Sequence, residues 1–314
     1  MKTLAWLLIL ITSLSVWGAP TSAPANLPDT VLLFANFHGN GDGLHLSWSI
    51  DGLKWTPLKE NQTFIKPEVG SQKLMRDPCI LQGPDGIFRM VWTTGWQGRD
   101  IGYASSKDLI HWSDQKAIGV MEHEPAAINC WAPEIVYDDA KQQYIIFWAT
   151  TIPGKFPETQ ETGDGKLNHR IYCTRTKDFE TFSKAELFFD PGFEVIDTTM
   201  LHANGKFYLF FKDETLKPQP KKHIRIAASD SIEGPFTVIS DPLTPNWVEG
   251  PTVIKVDEAF LIYFDMYRQG RYGAMRSMDL KTWEDVTGDL QMPRGTKHGT
   301  VFRVDRRILD ELTR

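Results

Sequence analysis

The sequence predicts an all-β protein, a five-bladed β-propeller whose blades are four-stranded antiparallel sheets. Two observations carry this prediction. Short strand-like runs alternate with turns rich in Gly, Pro, Asp and Asn, and almost no segment has helical periodicity. A hairpin pattern also recurs five times, at a spacing of roughly 40–60 residues that is typical of propeller blades.

The recurring hairpin consists of a short strand, a polar turn and an aromatic residue that opens the next strand. Its copies occupy residues 47–55, 103–112, 172–182, 226–236 and 273–283. The turn usually contains Asp, whose carboxylate can accept backbone N–H groups and close an Asx-turn. Five copies of this signal indicate repeated structure rather than repeated chemistry.

Two further strands complete each unit. An apolar run precedes every hairpin, at residues 31–37, 88–94, 144–151, 207–212 and 260–267. An opening strand and turn precede four of these runs, at residues 77–86, 133–143, 197–206 and 250–259. The first unit lacks its opening strand, and the C-terminal run 297–305 supplies a candidate for it.

The chain ends are therefore predicted to share one blade, in which the N- and C-terminal strands close the ring. Closure removes the open sheet edges that would otherwise invite association. We expect residues 20–314 to form a single, monomeric propeller domain. Its last residues, 306–314, are either a short helix or a tail.

Residues 1–19 read as a signal peptide, because one lysine is followed by an apolar run and then by small residues. No later segment looks transmembrane and no cysteine lies near the cleavage site, so we expect a secreted or periplasmic protein without a membrane anchor. A net charge of −6 and the lack of a Lys/Arg-rich run argue against a nucleic-acid partner. The three cysteines, an odd number, are expected to be buried free thiols.

Ionisable side chains recur where the innermost strand of each predicted blade begins. They are Asp77, Glu134, Asp197, Glu249 and His298. The symmetry of a propeller would bring these groups together at one mouth of the central channel. Converging carboxylates are unfavourable unless they have a use, and two uses are a hard cation site or the hydrolysis of a glycosidic bond. The chain also has 11 tryptophans, a residue that packs cores and stacks on flat apolar faces of ligands such as sugars.

Four motifs in chain order, "RDPCI", "WAPEIVYD", "IDTTMLHANGKFYLFF" and "VEGPTVIK", resemble glycoside hydrolase family 43. That family consists of five-bladed propellers that cleave mainly α-L-arabinofuranosides and β-D-xylosides with inversion. The resemblance covers nearly the whole chain after the signal peptide. It implies an exported enzyme that acts on plant-type oligo- or polysaccharides by acid/base chemistry, with a carbohydrate as its partner.

The resemblance also implies roles for individual residues. Asp77 corresponds to the general base that activates water, Glu249 to the general acid, and Asp197 to the third acid that tunes and orients the general acid. Thr198 departs from the pattern, since the family usually has Pro there. Glu134 stands where the family commonly has Asp, and we expect it to orient substrate or support the fold. No cofactor is required, but His298 matches a channel histidine that in many members lies near water or calcium, which makes it the place for a structural Ca²⁺.

Residues at the ends of the second strands are predicted to form the rim of the site. Phe37, His38, Trp96, Lys212 and Arg268 are the rim candidates for substrate contacts, together with Thr150, Thr151, Asp213 and Tyr267. Trp131 and Trp247 flank the acidic openings and are candidates for stacking on a sugar. The polar loop 152–170 is the longest insertion, and loops of this kind often shape specificity.

Three alternatives remain open at this point. A sugar-binding propeller without catalysis would have the same fold, and family 32-like fructan hydrolases are also five-bladed, although "VEGP" does not match their Glu-Cys pair. "SIDGLKW" resembles the Asp-box of sialidases, but the arginine cluster and tyrosine nucleophile of those enzymes cannot be assembled here. The sequence leaves open which sugar is cleaved (arabinofuranose, xylose or galactose) and whether cleavage is exo or endo.

Overall fold

The computed structural model describes residues 27–165 and 167–314. Within these residues the chain forms five four-stranded antiparallel sheets, and the predicted all-β propeller is confirmed. The predicted signal peptide, residues 1–19, lies outside the described residues. No helix in the described part of the chain is long and apolar enough to cross a membrane.

The strands are, in chain order, β1 (Thr30–Asn36), β2 (His45–Ser49), β3 (Thr56–Pro57), β4 (Arg76–Gln82), β5 (Phe88–Thr93), β6 (Ile101–Ser106), β7 (Lys116–Ile118), β8 (Trp131–Asp138), β9 (Gln143–Thr150), β10 (Arg170–Thr176), β11 (Glu186–Phe189), β12 (Val195–Ala203), β13 (Lys206–Asp213), β14 (His223–Ser229), β15 (Thr237–Val238), β16 (Glu249–Val256), β17 (Ala259–Met266), β18 (Arg271–Ser277), β19 (Glu284–Asp285) and β20 (Thr300–Asp305). One α-helix, α1 (Arg306–Leu312), follows β20, and 3-10 turns occur at Lys59–Asn61 and Pro157–Thr159.

Each blade takes four strands in order from the channel outward. Blade 1 is β4–β7, blade 2 is β8–β11, blade 3 is β12–β15 and blade 4 is β16–β19. Blade 5 has the order β20-β1-β2-β3, with Leu33 paired to Phe302, so the predicted closure of the ring by both chain ends is confirmed. The terminal residues form α1 rather than a tail, and Leu309 and Leu312 are buried.

The recurring hairpin turn is held by one side chain that accepts backbone N–H groups. In four blades this side chain is the aspartate of a Ser/Thr-x-Asp sequence, and each carboxylate accepts two successive N–H groups; these aspartates are Asp51, Asp108, Asp178 and Asp279. In blade 3 the corresponding position is Ser231, whose hydroxyl accepts from the Glu233 amide at 3.2 Å. The predicted Asx-turns therefore form in four of the five copies.

The core lies between the blades. Five apolar clusters fill the five spaces between neighbouring sheets, and each draws buried residues from two blades. In the closing space, for example, Leu33 of β1 packs in one cluster with Met90 and Trp92 of β5. The three cysteines are buried free thiols, as predicted.

The innermost strands of blades 1 to 4 each contain a β-bulge near their start. Two residues of the inner strand lie opposite one residue of the second strand, and the first of the two has a positive φ. These first residues are Asp77 (φ 53°), Ala132 (φ 45°), Asp197 (φ 51°) and Gly250 (φ 59°). Bulges increase the local twist and redirect side chains, which here happens where the strands reach the channel mouth.

Candidate active site

Two adjoining cavities open where the innermost strands begin. Cavity A, of about 140 Å³, is lined by Arg76, Asp77, Thr93, Trp96, Trp131, Ile196, Asp197, Lys212, Glu214, Glu249 and His298. Cavity B, of about 350 Å³, is lined by Phe37, Arg76, Glu249, Asp265, Tyr267, Gly270, Arg294, Gly295, Thr296, Lys297 and His298. Both contain Arg76, Glu249 and His298, so these side chains separate the two spaces.

The bulges show that the four acids do not occupy equivalent positions, contrary to the expectation from the sequence. Asp77 and Asp197 share the bulge position with positive φ. Glu249 lies one residue before this position, and Glu134 lies two residues after it. Asp77, Asp197 and Glu249 consequently line cavity A together with Glu214, whereas Glu134 lines neither cavity.

Asp77 is held as a carboxylate by three neighbours. The Thr93 hydroxyl donates to its Oδ2 at 2.8 Å, and Nδ1 of His298 lies 3.3 Å from its Oδ1. Burial favours the neutral acid, but His298 and the adjacent Arg76 guanidinium outweigh it and hold the pKa of Asp77 below its ordinary value. Asp77 is therefore ionised at neutral pH.

Asp197 experiences the opposite balance although it sits at the same backbone position. Its Oδ2 accepts the Gly250 amide at 3.0 Å, which fixes it beside the start of β16. Burial raises the pKa of Asp197 to about 6; the His298 ring opposes this shift, and the Glu249 carboxylate adds to it. Two aspartates in one cavity thus differ in their tendency to hold a proton.

Gly250 allows the start of β16, which carries Glu249, to lie close to His298. It has a φ of 59°, and a Cβ atom at this position would lie 2.4 Å from Cγ of His298. Residues with a side chain hold this positive-φ position in the other three bulges, so it is the lack of space beside His298 that requires glycine here. The "EGP" corner therefore lets Glu249, Asp197 and His298 share one cavity.

His298 is one of two buried cations that line cavity A, the other being Lys212. Burial opposes its charge, but the carboxylates of Asp197 and Asp77 raise the pKa of His298 to about 9. His298 pairs with Asp77 in this site, and the Ca²⁺ expected near this position stays a prediction.

Lys212 links the Glu249 carboxylate to a second acid. Its Nζ lies 3.1 Å from Oε2 of Glu249 and 2.8 Å from Oε2 of Glu214, and Glu214 also pairs with Lys222. The Lys212 side chain is only 3% exposed, and although burial opposes the charge, these carboxylates raise its pKa. A permanent positive charge consequently lies against Glu249.

Glu134 is buried and lines neither of the two cavities. The Thr199 hydroxyl, from the next blade, donates to its Oε2 at 3.0 Å. Burial raises the pKa of Glu134 to about 7. The position does not offer the substrate contact that was among the expectations, and the hydrogen bond instead joins blades 2 and 3 inside the channel.

The predicted rim residues divide into two groups. Trp96, Trp131 and Lys212 line cavity A, where the two indole rings stand almost perpendicular at 5.9 Å, and Phe37 lines cavity B. Trp131 is also anchored, because its indole N–H donates to the Trp96 carbonyl oxygen at 3.2 Å.

The remaining rim candidates, apart from Tyr267, which lines cavity B, lie outside the two cavities. His38 stacks on His45, with the ring centroids 3.8 Å apart. Trp247 and Arg268 stack on each other at 3.1 Å. The others outside the cavities are Thr150, Thr151 and Asp213, together with the described residues of the loop 152–170, whose residue Arg170 packs on Phe156. Sequence position alone could not separate these residues from the lining ones.

Asp265 is a carboxylate of the site that the sequence analysis missed. It faces Glu249 across the β16–β17 ladder, lines cavity B and is 8% exposed. Burial and the Glu249 carboxylate raise the pKa of Asp265 to about 7. The signal was present in "FLIYFDMY", where one acid interrupts an apolar strand, but only the first strands had been compared.

His38, Asp42 and His45 form the one cluster of potential metal ligands found within the described residues, with ligand atoms within 4.8 Å of one another. The two imidazole rings are nearly parallel, at 8°, and are stacked. Their in-plane lone pairs therefore lie in separate parallel planes and do not converge on one ion. Oδ2 of Asp42 lies 2.9 Å from Nε2 of His45, within hydrogen-bonding distance. Asp42 and His45 are therefore close together because they contact each other directly.

The chain resembles known proteins along most of its length. An alpha-L-arabinofuranosidase of Bifidobacterium longum subsp. longum is 23% identical in an alignment 276 residues long that covers 74% of this chain and 25% of that protein. The chain thus spans about a quarter of the length of this curated relative.

Solved structures share the fold. The crystal structure of alpha-L-arabinofuranosidase from Lactobacillus brevis superimposes with a TM-score of 0.51 and 19% identity, over 68% of this chain and 72% of that chain. A GH43_1 enzyme from Xanthomonas citri in complex with xylose gives a TM-score of 0.53 and 14% identity, over 70% and 75% of the two chains.

The family described as "Probable glycosyl hydrolase domain", related to glycosyl hydrolase family 43, matches residues 29–310. This range contains all five blades and every residue that lines the two cavities. The chain therefore belongs to this glycosyl hydrolase 43-related family.

Proposed function

We propose that the protein is an inverting glycoside hydrolase that cleaves α-L-arabinofuranosides or β-D-xylosides of plant-type glycans. The observation that carries the proposal is the meeting of Asp77, Asp197 and Glu249, from three blades, in one cavity with different electrostatic surroundings. A binding protein needs hydrogen-bonding groups for a sugar, but it has no need for carboxylates of separated acidity.

Asp77 is the general base in this proposal. Its carboxylate is kept ionised by His298 and Arg76, while Thr93 fixes its orientation. Such a group can accept a proton from a water molecule that attacks the anomeric carbon. His298 is protonated and cannot itself act as this base at neutral pH.

Glu249 is the general acid, which donates its proton to the leaving oxygen. Asp197, bound to the neighbouring amide of Gly250, adds a carboxylate beside it. Lys212, 3.1 Å away, stabilises the Glu249 carboxylate that forms as the proton leaves. Groups of opposite charge thus flank the residue that transfers the proton.

Cavity A is small, which suits one sugar ring more than a stretch of chain. The ring faces of Trp96 and Trp131 at its edge suit the apolar face of a sugar. The names of the relatives, two arabinofuranosidases and an enzyme with bound xylose, support pentose substrates. Export follows from the sequence of residues 1–19 and is part of the proposal.

Hydrolysis of aryl glycosides tests the function. Purified protein would be incubated with nitrophenyl α-L-arabinofuranoside, β-D-xyloside and β-D-galactoside, and the first sugar product would be followed by proton NMR. Release of at least one sugar with inverted anomeric configuration is expected. Retained configuration would overturn the inverting mechanism, and sugar binding without any hydrolysis would favour the non-catalytic propeller.

A further inference from the structure

Cavity B lies on the side of the leaving group if the proposed function holds. In inverting hydrolysis the base and its water stand on one side of the sugar, and the acid touches the leaving oxygen on the other side. Asp77 lines cavity A alone, whereas Glu249 lines both cavities. A glycoside whose reacting sugar fills cavity A would therefore extend past Glu249 into cavity B.

Three cationic side chains line this second cavity: Arg76, Arg294 and Lys297. Among the described residues, none of the three has a carboxylate within the 4.0 Å of an ion pair. The whole chain has a net charge of −6, whereas this cavity has three cations that are not paired with carboxylates.

Arg76 is fixed in place. Its guanidinium lies between the rings of Phe37 and Trp96, at 4.7 and 4.4 Å from their centroids. One terminal nitrogen donates to Asn40 Oδ1 at 2.9 Å, and no carboxylate of the described residues forms an ion pair with the guanidinium. A guanidinium held in this way is ready to bind a planar carboxylate with little loss of side-chain entropy.

The segment that carries the other two cations is attached to blade 5. The Lys297 amide donates to the Phe37 carbonyl oxygen at 3.0 Å, and the Arg294 carbonyl oxygen accepts from the Asn61 side chain at 3.4 Å. The backbone of this segment is thus tied to the same strand end that supports Arg76 through Phe37. The three cations face one cavity because of these contacts.

The acids of cavity B do not cancel this charge. Two carboxylates, those of Glu249 and Asp265, line the cavity against the three cations. Asp265 has no ion-pair partner among the described residues, and its burial disfavours the charged form. Near neutral pH the cavity therefore presents more positive than negative charge.

We propose that cavity B binds a carboxylate-bearing sugar, a uronic acid residue, as the leaving-group unit of the substrate. The inference rests on the proposed function and narrows it to side-chain sugars attached to, or next to, an acidic sugar. Arg76 would pair with the carboxylate through two N–H groups, and Arg294 and Lys297 would add charge at the cavity edge.

A matched pair of substrates tests this inference without any mutation. One is an oligosaccharide in which the released pentose is linked to a uronic acid residue, and the other is its methyl ester, which has the same shape but no charge. We expect kcat/KM for the free acid to exceed that for the ester roughly tenfold or more, because only the free acid can form charge-assisted hydrogen bonds with the cations of cavity B. The preference should shrink at high salt, because the outer cations are exposed.

The double variant Arg294→Gln/Lys297→Gln provides the second arm. Its ratio of kcat/KM between acid and ester should fall severalfold. The control variant Lys107→Gln/Lys177→Gln removes the same two charges from exposed hairpin turns and should keep the wild-type ratio. Because the readout is a ratio within each variant, a general loss of active protein does not affect it.

The failures of the two proposals are distinguishable. If aryl glycosides are hydrolysed but acid and ester react equally, the uronic acid site is wrong and the proposed function stands. If the double variant keeps the wild-type ratio, the preference does not come from cavity B and the inference is overturned. If no glycoside is hydrolysed and calorimetry detects no stronger binding of the acid than of the ester, both proposals are overturned.

Discussion

At the scale of single residues, two aspartates in the same backbone position have pKa values shifted in opposite directions. Asp77 and Asp197 both occupy a bulge with positive φ, but Asp77 pairs with His298 and Thr93 whereas Asp197 accepts only a neutral amide among its hydrogen bonds. The pKa of Asp77 is consequently lowered, and burial raises the pKa of Asp197 to about 6. This difference separates the proposed base from the residue beside the proposed acid, and it arises from contacts rather than from residue type.

Glu249→Gln tests the general acid. The variant should lose roughly 10²–10⁴-fold in kcat on substrates with poor leaving groups, because an amide cannot donate the proton that the leaving oxygen needs. The loss should be much smaller for a dinitrophenyl glycoside, whose leaving group departs without protonation. Steady-state kinetics on the two substrate types measures the difference. An equal loss on both would mean that Glu249 is not the acid.

Gly250→Ala tests whether close approach to His298 is needed. The added Cβ would lie 2.4 Å from Cγ of His298, so we expect a loss of roughly 100-fold in kcat/KM from displacement of Glu249. Gly205→Ala is the matched control, since that glycine also has a positive φ, 73°, but no atom lies within 4 Å of the added Cβ. Both variants should lose about 1–2 kcal/mol of stability to backbone strain. Similar activity in the two variants would contradict the steric argument.

At the scale of elements, the bulges are what aims the carboxylates. In each of blades 1 to 4, the two bulge residues lie opposite one large aromatic residue of the second strand that is almost fully buried; these are Trp92, Trp148, Phe211 and Phe264. The aromatic ring fills the space between blades, while the inner strand turns its bulge toward the channel. Packing and site geometry are therefore set at the same point of each blade.

Thr198→Pro tests the equivalence of the bulges. The residue after the positive-φ position is Pro78, Pro133 and Pro251 in the other three bulges, and only blade 3 has Thr198 there. The Thr198 hydroxyl is buried without a hydrogen-bond partner. Proline should fit this backbone and raise stability by about 0.4–1 kcal/mol, because it restricts the unfolded chain.

Chemical denaturation would measure the effect of Thr198→Pro. Thr199→Pro is the control, since Thr199 pairs with Phe210 in the ladder and its hydroxyl donates to Glu134. That variant should lose several kcal/mol. If proline at position 198 destabilises the protein to a similar extent, the backbone of this bulge differs from the other three.

The same bulges mark the limit of what the sequence could predict. Repeats of hairpins and apolar runs predicted the blades and their closure, because period-2 patterns and turn residues are local signals. The motif comparison found Asp77, Asp197 and Glu249 because they stand in short, recognisable strings. It also treated Glu134 as their equivalent, although Glu134 lies two residues after the bulge position of its strand. A bulge is not visible in the sequence pattern, so the different location of this side chain could not be predicted. Asp265 was missed because its partnership with Glu249 depends on strand pairing.

At the scale of the whole molecule, the channel concentrates buried groups that hold protons more strongly than in an unfolded chain. Burial raises the pKa of Glu134 and of Asp265 to about 7 each, and that of Asp197 to about 6, while carboxylates raise the pKa of His298 to about 9. For each group the folded protein binds more protons than the unfolded chain at intermediate pH. By linkage, their contribution to stability is fully present below the unfolded pKa and is lost as pH rises through the folded pKa.

The free energy of unfolding should consequently be greatest near pH 4–5 and fall toward pH 9. Below this range, acids whose pKa is lowered in the folded protein reduce stability as they become protonated. The hydrogen bond from Arg89 helps to lower the pKa of Asp85 to about 2, so the stabilising contribution of Asp85 is lost as the pH falls toward 2. Denaturant unfolding at a series of pH values, in buffers of constant ionic strength, would measure how the free energy of unfolding depends on pH. A stability maximum at pH 7–8 would contradict the assignment of protons to the channel groups.

Glu134→Gln isolates one group of this set. An amide cannot ionise and can still accept the Thr199 hydroxyl, so the variant should lose no more than about 1 kcal/mol near pH 4, where Glu134 is protonated in both states. Between pH 4.5 and 8 the wild type should lose on the order of 2 kcal/mol through this carboxyl, and the variant should not. A plot of its free energy of unfolding against pH would therefore cross that of the wild type, and the variant would be the more stable protein at pH 8. Glu258→Gln, which changes an exposed carboxylate, should follow the wild type at every pH. If Glu134→Gln follows the wild type as well, the buried carboxyl ionises freely in the channel, and the slope must come from Asp197, Asp265 and His298 at the mouth.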